Sequence, residues 1–99
     1  MESNSHEKIA NISDQLIELL KENDENYWSK IIENIRDEYI ASVNKGSSVQ
    51  QFIAIMQGGM GSFLDLVLHK DRKPLINENN QLDNLRRQLY NECNKVNLG

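Results

Sequence analysis

An all-α fold, a compact bundle of four main helices, is what this sequence predicts, and three observations predict it. Apolar residues recur in steps of three and four over most of the 99 positions. The internal glycines fall at two places, Gly46 and the 58–61 stretch, and there is one proline, a pattern that suits long helices separated by sharp stops. Aromatic residues make up 6% of the chain and the β-branched residues are mostly Ile, which argues against an all-β sandwich.

The first stripe, Ile9, Ile12, Leu16, Leu19 and Leu20 with Ile17 beside it, predicts an amphipathic helix over 6–22. Residues 1–5 read as an unstructured start. "KENDEN" breaks the pattern, because Asn and Asp compete for backbone hydrogen bonds, and Asn23 or Asp24 is the expected cap of a second helix over 25–43. Trp28, Ile31, Ile32, Ile35, Tyr39 and Val43 form its buried stripe, with Tyr27 and Ile40 at the edges and Glu33, Arg36 and Asp37 outside. The short connection pairs the two as an antiparallel hairpin. Gly46 suits the position just past a helix end, where glycine takes a left-handed conformation at little cost. Ser47 followed by Gln50 fits a capping box for a third helix over 48–57, carrying Val49, Phe52, Ile53 and Met56.

"HKDRKPLINENN" has no period, so 69–79 reads as a loop. Asn80, with Asp83 three residues on, is the expected cap of a last helix over 80–96. Its seam is Leu82, Leu85, Leu89, Cys93 and Val96, with Arg86 and Arg87 outside it. The expected core includes Ile12, Leu16, Leu20, Trp28, Ile32, Ile35, Phe52, Met56, Phe63, Leu85 and Leu89.

The bulk numbers limit function. A chain of this length makes one domain with a modest core. No apolar run approaches the roughly 18 residues of a membrane span, and the start lacks the parts of a secretory signal, so a cytoplasmic setting without a membrane is expected. The lone Cys93 has no partner for an internal disulfide and reads as a small buried hydrophobe. The net charge of −4 is uneven: residues 1–45 hold ten acids against five bases, and residues 46–99 five against six. An acidic half argues against nucleic acid and offers a surface for a basic partner.

"QGGMGSFLDLVLHK", residues 57–70, admits three readings. A phosphate loop of the Walker type needs Lys-Ser/Thr directly after its glycines, and here no lysine occurs before Lys70. A nucleophile elbow is missing, since Ser62 lacks the flanking Gly-x-Ser-x-Gly pattern, and His6 and His69 have no motif that brings them to it. Metal-ligand spacing is missing as well, so no metal and no cofactor are expected. The structural reading makes this a corner. Gly58 and Gly59 end the third helix, Gly61 takes a shape closed to residues with a β-carbon, and Ser62 caps the next turn with Asp65. Phe63, Leu64, Leu66, Val67 and Leu68 then form a short, nearly fully buried segment, helical or extended.

"GGMGSFLDLVL" and the later "LDNLRRQLYNEC" resemble a family of small bacterial proteins known only as a domain of unknown function. The resemblance runs over roughly residues 12–96; positions 58–62 and 65–68 match the glycine motif, and Leu64 stands at a position expected to be polar. It implies a helical N-terminal half, the glycine motif and a final helix, and it assigns no catalytic residue. Families of this size and acidity often accompany toxins as immunity proteins. The leading expectation is therefore a non-enzymatic protein-binding domain, an immunity protein that neutralises a bacterial toxin domain through Glu18, Glu22, Tyr27, Glu33, Asp37 and Ile40. The alternative is a small anion- or nucleotide-binding domain in which the glycine loop works with His69, Lys70, Arg72 and Lys73. A plain homodimeric helical domain is a third option; the chain is expected as a monomer or homodimer.

Overall fold

The periodic stripes become helices that ring one core. The computed structural model describes residues 5–43, 45–57 and 63–98. Helix α1 covers Ser5–Glu22, α2 Asn26–Ala41, α3 Gly46–Ile55 and α4 Ile76–Leu98. α1 packs on α2 and α4, and α3 packs on the same two. The result is the all-α bundle that the periodicity predicts. Its radius of gyration, 13.4 Å, is what a compact chain of this length should have, about 13 Å.

The core forms one cluster. Ile9, Leu16 and Leu20 from α1, Ile32 and Tyr39 from α2, Phe52 from α3 and Leu82, Leu89 and Cys93 from α4 are all buried in it. Fully burying an aliphatic or aromatic side chain of this size contributes about 1.5–3 kcal/mol, so the stripes supply most of the driving force. The expected core residues are all buried apart from Trp28, which is half-buried and packed against the cluster.

Several local expectations are corrected. Asn23 and Asp24 do not cap α2; they close α1. Asp24 is left-handed (φ 61°), its N–H bonds the Lys21 carbonyl at 3.2 Å, and the Glu25 N–H bonds the Leu20 carbonyl at 2.9 Å. That double bond pattern is a Schellman stop. Asn23 Nδ2 donates to the Leu19 carbonyl at 2.8 Å, and Glu25 stands at the start of α2 without a side-chain cap bond. Helix α2 ends at Ala41, because Ser42 is extended (ψ 141°), and this leaves Val43 exposed instead of in the buried stripe. Lys45 Nζ donates to the carbonyls of Tyr39 (2.6 Å) and Ser42 (3.3 Å), the cationic finish that a helix C-terminus favours.

Gly46 opens α3 instead of closing α2, with Lys45 at the cap position. The Ser47–Gln50 capping box does not form, since Ser47 already lies within the helix and the Gln50 amide bonds Asn97 on α4. The stretch 69–79 is not a loop. His69–Lys70 (β1) and Lys73–Pro74 (β2) pair antiparallel around Asp71 and Arg72. Both turn residues have positive φ (53° and 68°), as a tight primed hairpin turn requires. The last helix starts at Ile76, so Asn80 is inside it and not its cap; the first helical bond there runs from the Asn79 N–H to the Leu75 carbonyl at 2.9 Å. Ser5, expected in the unstructured start, is the first residue of α1, and its Oγ donates to Glu92 on α4 at 3.1 Å.

Candidate functional site

The corner is built around a buried guanidinium. After α3 the described chain resumes with a single 3-10 turn, Phe63–Asp65. Phe63 is fully buried, with the Trp28 ring 5.1 Å away on one side and the Arg86 guanidinium 5.5 Å from its ring centre. Arg86 Nη1 donates to the carbonyls of Phe63 (2.6 Å) and Leu66 (3.2 Å), while Nη2 pairs with Asp83. The Phe63 carbonyl also takes the turn's own Leu66 N–H at 3.3 Å, but the Leu66 carbonyl has only Arg86 among the described residues, and an unpaired buried acceptor is costly. Arg86 was expected outside the seam and is instead buried. Its position, four residues after Leu82 and three before Leu89, was the available signal, since both steps return to the seam face.

The apolar run beyond the turn is only partly buried. Phe63 and Leu68 are inside and Leu66 is half-buried, but Leu64 and Val67 are exposed, which corrects the expectation of a nearly fully buried segment. One turn followed by three irregular residues alternates sides and cannot hide every side chain. Asn79 then fixes Leu68: the Leu68 N–H donates to Asn79 Oδ1 at 2.7 Å, and Asn79 Nδ2 donates to the Leu68 carbonyl at 3.0 Å. Of the predicted corner residues, Asp65 is exposed at the end of the 3-10 turn. Gly58, Gly59, Gly61 and Ser62 lie outside the described residues, as does the proposed Ser62–Asp65 cap.

The predicted partner residues divide into three groups. Glu18 and Glu22 are exposed on α1 and border a shallow depression with Gln15 and Gln81 of α4. Glu33 is paired across the α1–α2 seam, and Asp37 pairs with its neighbour Arg36 on α2. Lys21 Nζ sits 2.8 Å from Glu33 Oε2, and its hydrogen bond and charge hold the Glu33 carboxyl below the ordinary value. Arg36 Nε lies 2.7 Å from Asp14 Oδ1, and Nη1 lies 3.4 Å from Asp37 Oδ1; the Asp14 hydrogen bond chiefly raises the pKa of Arg36. Ile40 is exposed on the same strip of α2 as Glu33 and Asp37. Tyr27 is exposed at the opposite end of α2, edge-on to Trp28 at 5.4 Å, about 20 Å of helix away from Ile40.

His69, Lys70, Arg72 and Lys73 are all exposed on the hairpin, and His69 Nδ1 lies 2.9 Å from the Val67 carbonyl. Among the described residues no three His, Cys, Asp or Glu side chains gather where they could hold a metal ion. Cys93 is buried, and burial pushes its thiol up to about 12, away from reactivity. Among the described residues no helix is long and apolar enough to cross a membrane.

This helical domain falls within a known family. The chain belongs to the family described as Domain of unknown function (DUF6966), which matches residues 21–76, more than half of its length. The match takes in α2, α3, the corner and the hairpin, and stops at the first residue of α4. Neither a curated protein nor a solved structure matches the chain.

Proposed function

We propose that this chain is a non-enzymatic protein-binding domain that neutralises a bacterial toxin domain, as an immunity protein does. The observation that carries the reading is on the outer face of α1. Glu18 and Glu22 are exposed there and make no ion pair with any described residue, while nearby Asp14 and Glu33 are neutralised across the α1–α2 seam. Uncommitted acids of this kind raise the association rate with a basic partner, and the exposed Ile40 and Val43 at the far end of α2 offer apolar anchors. Glu33 supports the seam first and the partner second, and Asp37 is shared with its neighbour Arg36.

The test is co-expression with a toxin domain encoded beside the gene. The reading expects growth to be restored by the wild-type chain and lost with Glu18→Lys/Glu22→Lys. Growth inhibition unaffected by the wild-type chain would overturn it. A second reading, anion or nucleotide binding, is favoured by the four exposed basic side chains at 69–73, which carry no ion pair among the described residues. Thermal unfolding with phosphate or a nucleotide checks it, since a ligand at 100 times its dissociation constant stabilises by about 2.7 kcal/mol.

A further inference from the structure

The groove between α1 and α4 lies on a different edge of the bundle from the α1–α2 seam. It encloses about 670 Å³. The two helices run antiparallel, since Ser5 bonds Glu92 at one end and Glu18 and Glu22 border Gln81 at the other. Facing residues therefore form successive rungs: Lys8 with Lys95, then Asn11 with Asn91, then Gln15 with Gln88. Ile12 is the buried floor.

The chemistry of the rungs is specific in kind. Four carboxamides line the middle and far end, and each presents a donor and an acceptor side by side, the same pair that a peptide unit presents in reverse. Gln15 makes one long bond to the Asn11 carbonyl, 3.4 Å; the carboxamides of Asn11, Gln88 and Asn91 make none to described residues. Among the described residues no aromatic side chain lines the groove, so they build no stacking platform for a nucleobase or a sugar ring. At the near end Lys95 is held by Glu92 at 2.8 Å, whereas Lys8 is exposed and has no ion pair with any described residue. Helix interiors disfavour Asn, so Asn11 and Asn91 weaken the helices that carry them.

We propose that this groove binds an extended peptide segment of three or four residues, its backbone bonded by the carboxamides and a carboxylate set over Lys8. The length follows from geometry: Lys8 to Gln15 rises about 10 Å along the helix, and an extended peptide advances about 3.3 Å per residue. The charge follows from the groove's balance of two lysines, Lys8 and Lys95, against one carboxylate, Glu92, which Lys95 holds directly and Lys8 stabilises only through its charge. The site adjoins the toxin-binding acids only at Gln15, which also borders the depression beside Glu18 and Glu22, and it does not depend on that reading.

The experiment is selection of a random eight-residue peptide library on the full-length protein, followed by affinity measurement on the enriched peptides. Enriched peptides should share an Asp or Glu, and binding should shift the side-chain amide NMR signals of Asn11, Gln15, Gln88 and Asn91. Affinity should fall at least tenfold for Lys8→Glu and for Asn11→Ala/Asn91→Ala. The alanine pair should melt no lower than wild type, because Ala favours helix over Asn. Ile40→Ala, on the exposed strip of α2, should leave peptide affinity unchanged. No enrichment of acid-bearing peptides, affinity indifferent to the groove variants, or peptides that shift signals elsewhere would each overturn the proposal.

Discussion

Two arginines tie this bundle together, and they do it under different physical conditions. Arg36 crosses from α2 to Asp14 on α1 with its side chain 30% exposed, where water and salt screen the pair. Arg86 crosses from α4 to the 63–66 turn with its side chain 8% exposed, and its partners include two backbone carbonyls, of which that of Leu66 has no other donor among the described residues while that of Phe63 also takes the Leu66 N–H at 3.3 Å. An exposed pair of the first kind contributes about 0.2–1 kcal/mol. Hydrogen bonds from a charged donor to buried acceptors contribute about 1.5–3 kcal/mol, and removing the donor leaves the Leu66 carbonyl unpaired. The corner around Arg86 thus carries the fold, while the outer face of α1 and α2 carries little of it. A surface that the fold does not need is one that selection can shape for a partner.

The sharpest way to break this contrast is in the corner itself. Phe63→Ala removes the ring held between Trp28 and Arg86 and should cost about 3–5 kcal/mol in urea unfolding. A loss below about 1 kcal/mol would mean the corner is loosely packed. Asn79→Ala comes next, at about 1–2 kcal/mol, because the Leu68 N–H loses its acceptor while the Leu68 carbonyl keeps the Leu75 N–H at 2.9 Å. Its signature is faster hydrogen exchange at Leu68, with little change in α1. On the seam side, Asp24→Gly should stabilise by about 1 kcal/mol, since glycine takes the left-handed stop without strain.

A further effect, confined to high pH, needs no substitution. Burial raises the pKa of Cys93 from 9.0 to about 12 and of Tyr39 from 10.0 to about 12. The folded state holds both protons more tightly than the unfolded chain does. Their contribution is complete below pH 9 and declines as pH rises toward 12. Denaturant midpoints should fall over that window, and Cys93→Ala should make the fall shallower. An identical slope in that variant would show that Cys93 is not the titrating group.

The same contrast explains what the sequence disclosed. The stripes of α1 and the Leu82–Leu85–Leu89–Cys93 seam were legible because burial on one helical face imposes a period. The hairpin at 69–74 was hidden, because its turn uses Asp71 and Arg72 at positive φ where Asn-Gly would have announced it. The first turn of α4 was masked by Asn77, Asn79 and Asn80, weak helix formers that look like loop, although Asn79 is used to bracket Leu68. Arg86 was hidden for a more general reason. A charged residue reads as surface, and only its carbonyl partners, brought in by tertiary packing, make burial favourable. The acids of the candidate partner face were legible as charges, but their commitments were not: Glu33 and Asp37 looked equivalent to Glu18 and Glu22, yet Lys21 pairs the first across the seam and Arg36 pairs the second within α2.

The most direct measurement compares the unfolding free energies of Arg86→Met and Arg36→Met in the same buffer. Both changes remove one guanidinium and keep a side chain of similar reach. Arg86→Met should cost about 3 kcal/mol and Arg36→Met less than about 1 kcal/mol, the latter shrinking further at high salt. Equal losses, or a larger loss at Arg36, would contradict the assignment of the corner as the anchor of the fold and of the α1–α2 face as surface free to bind.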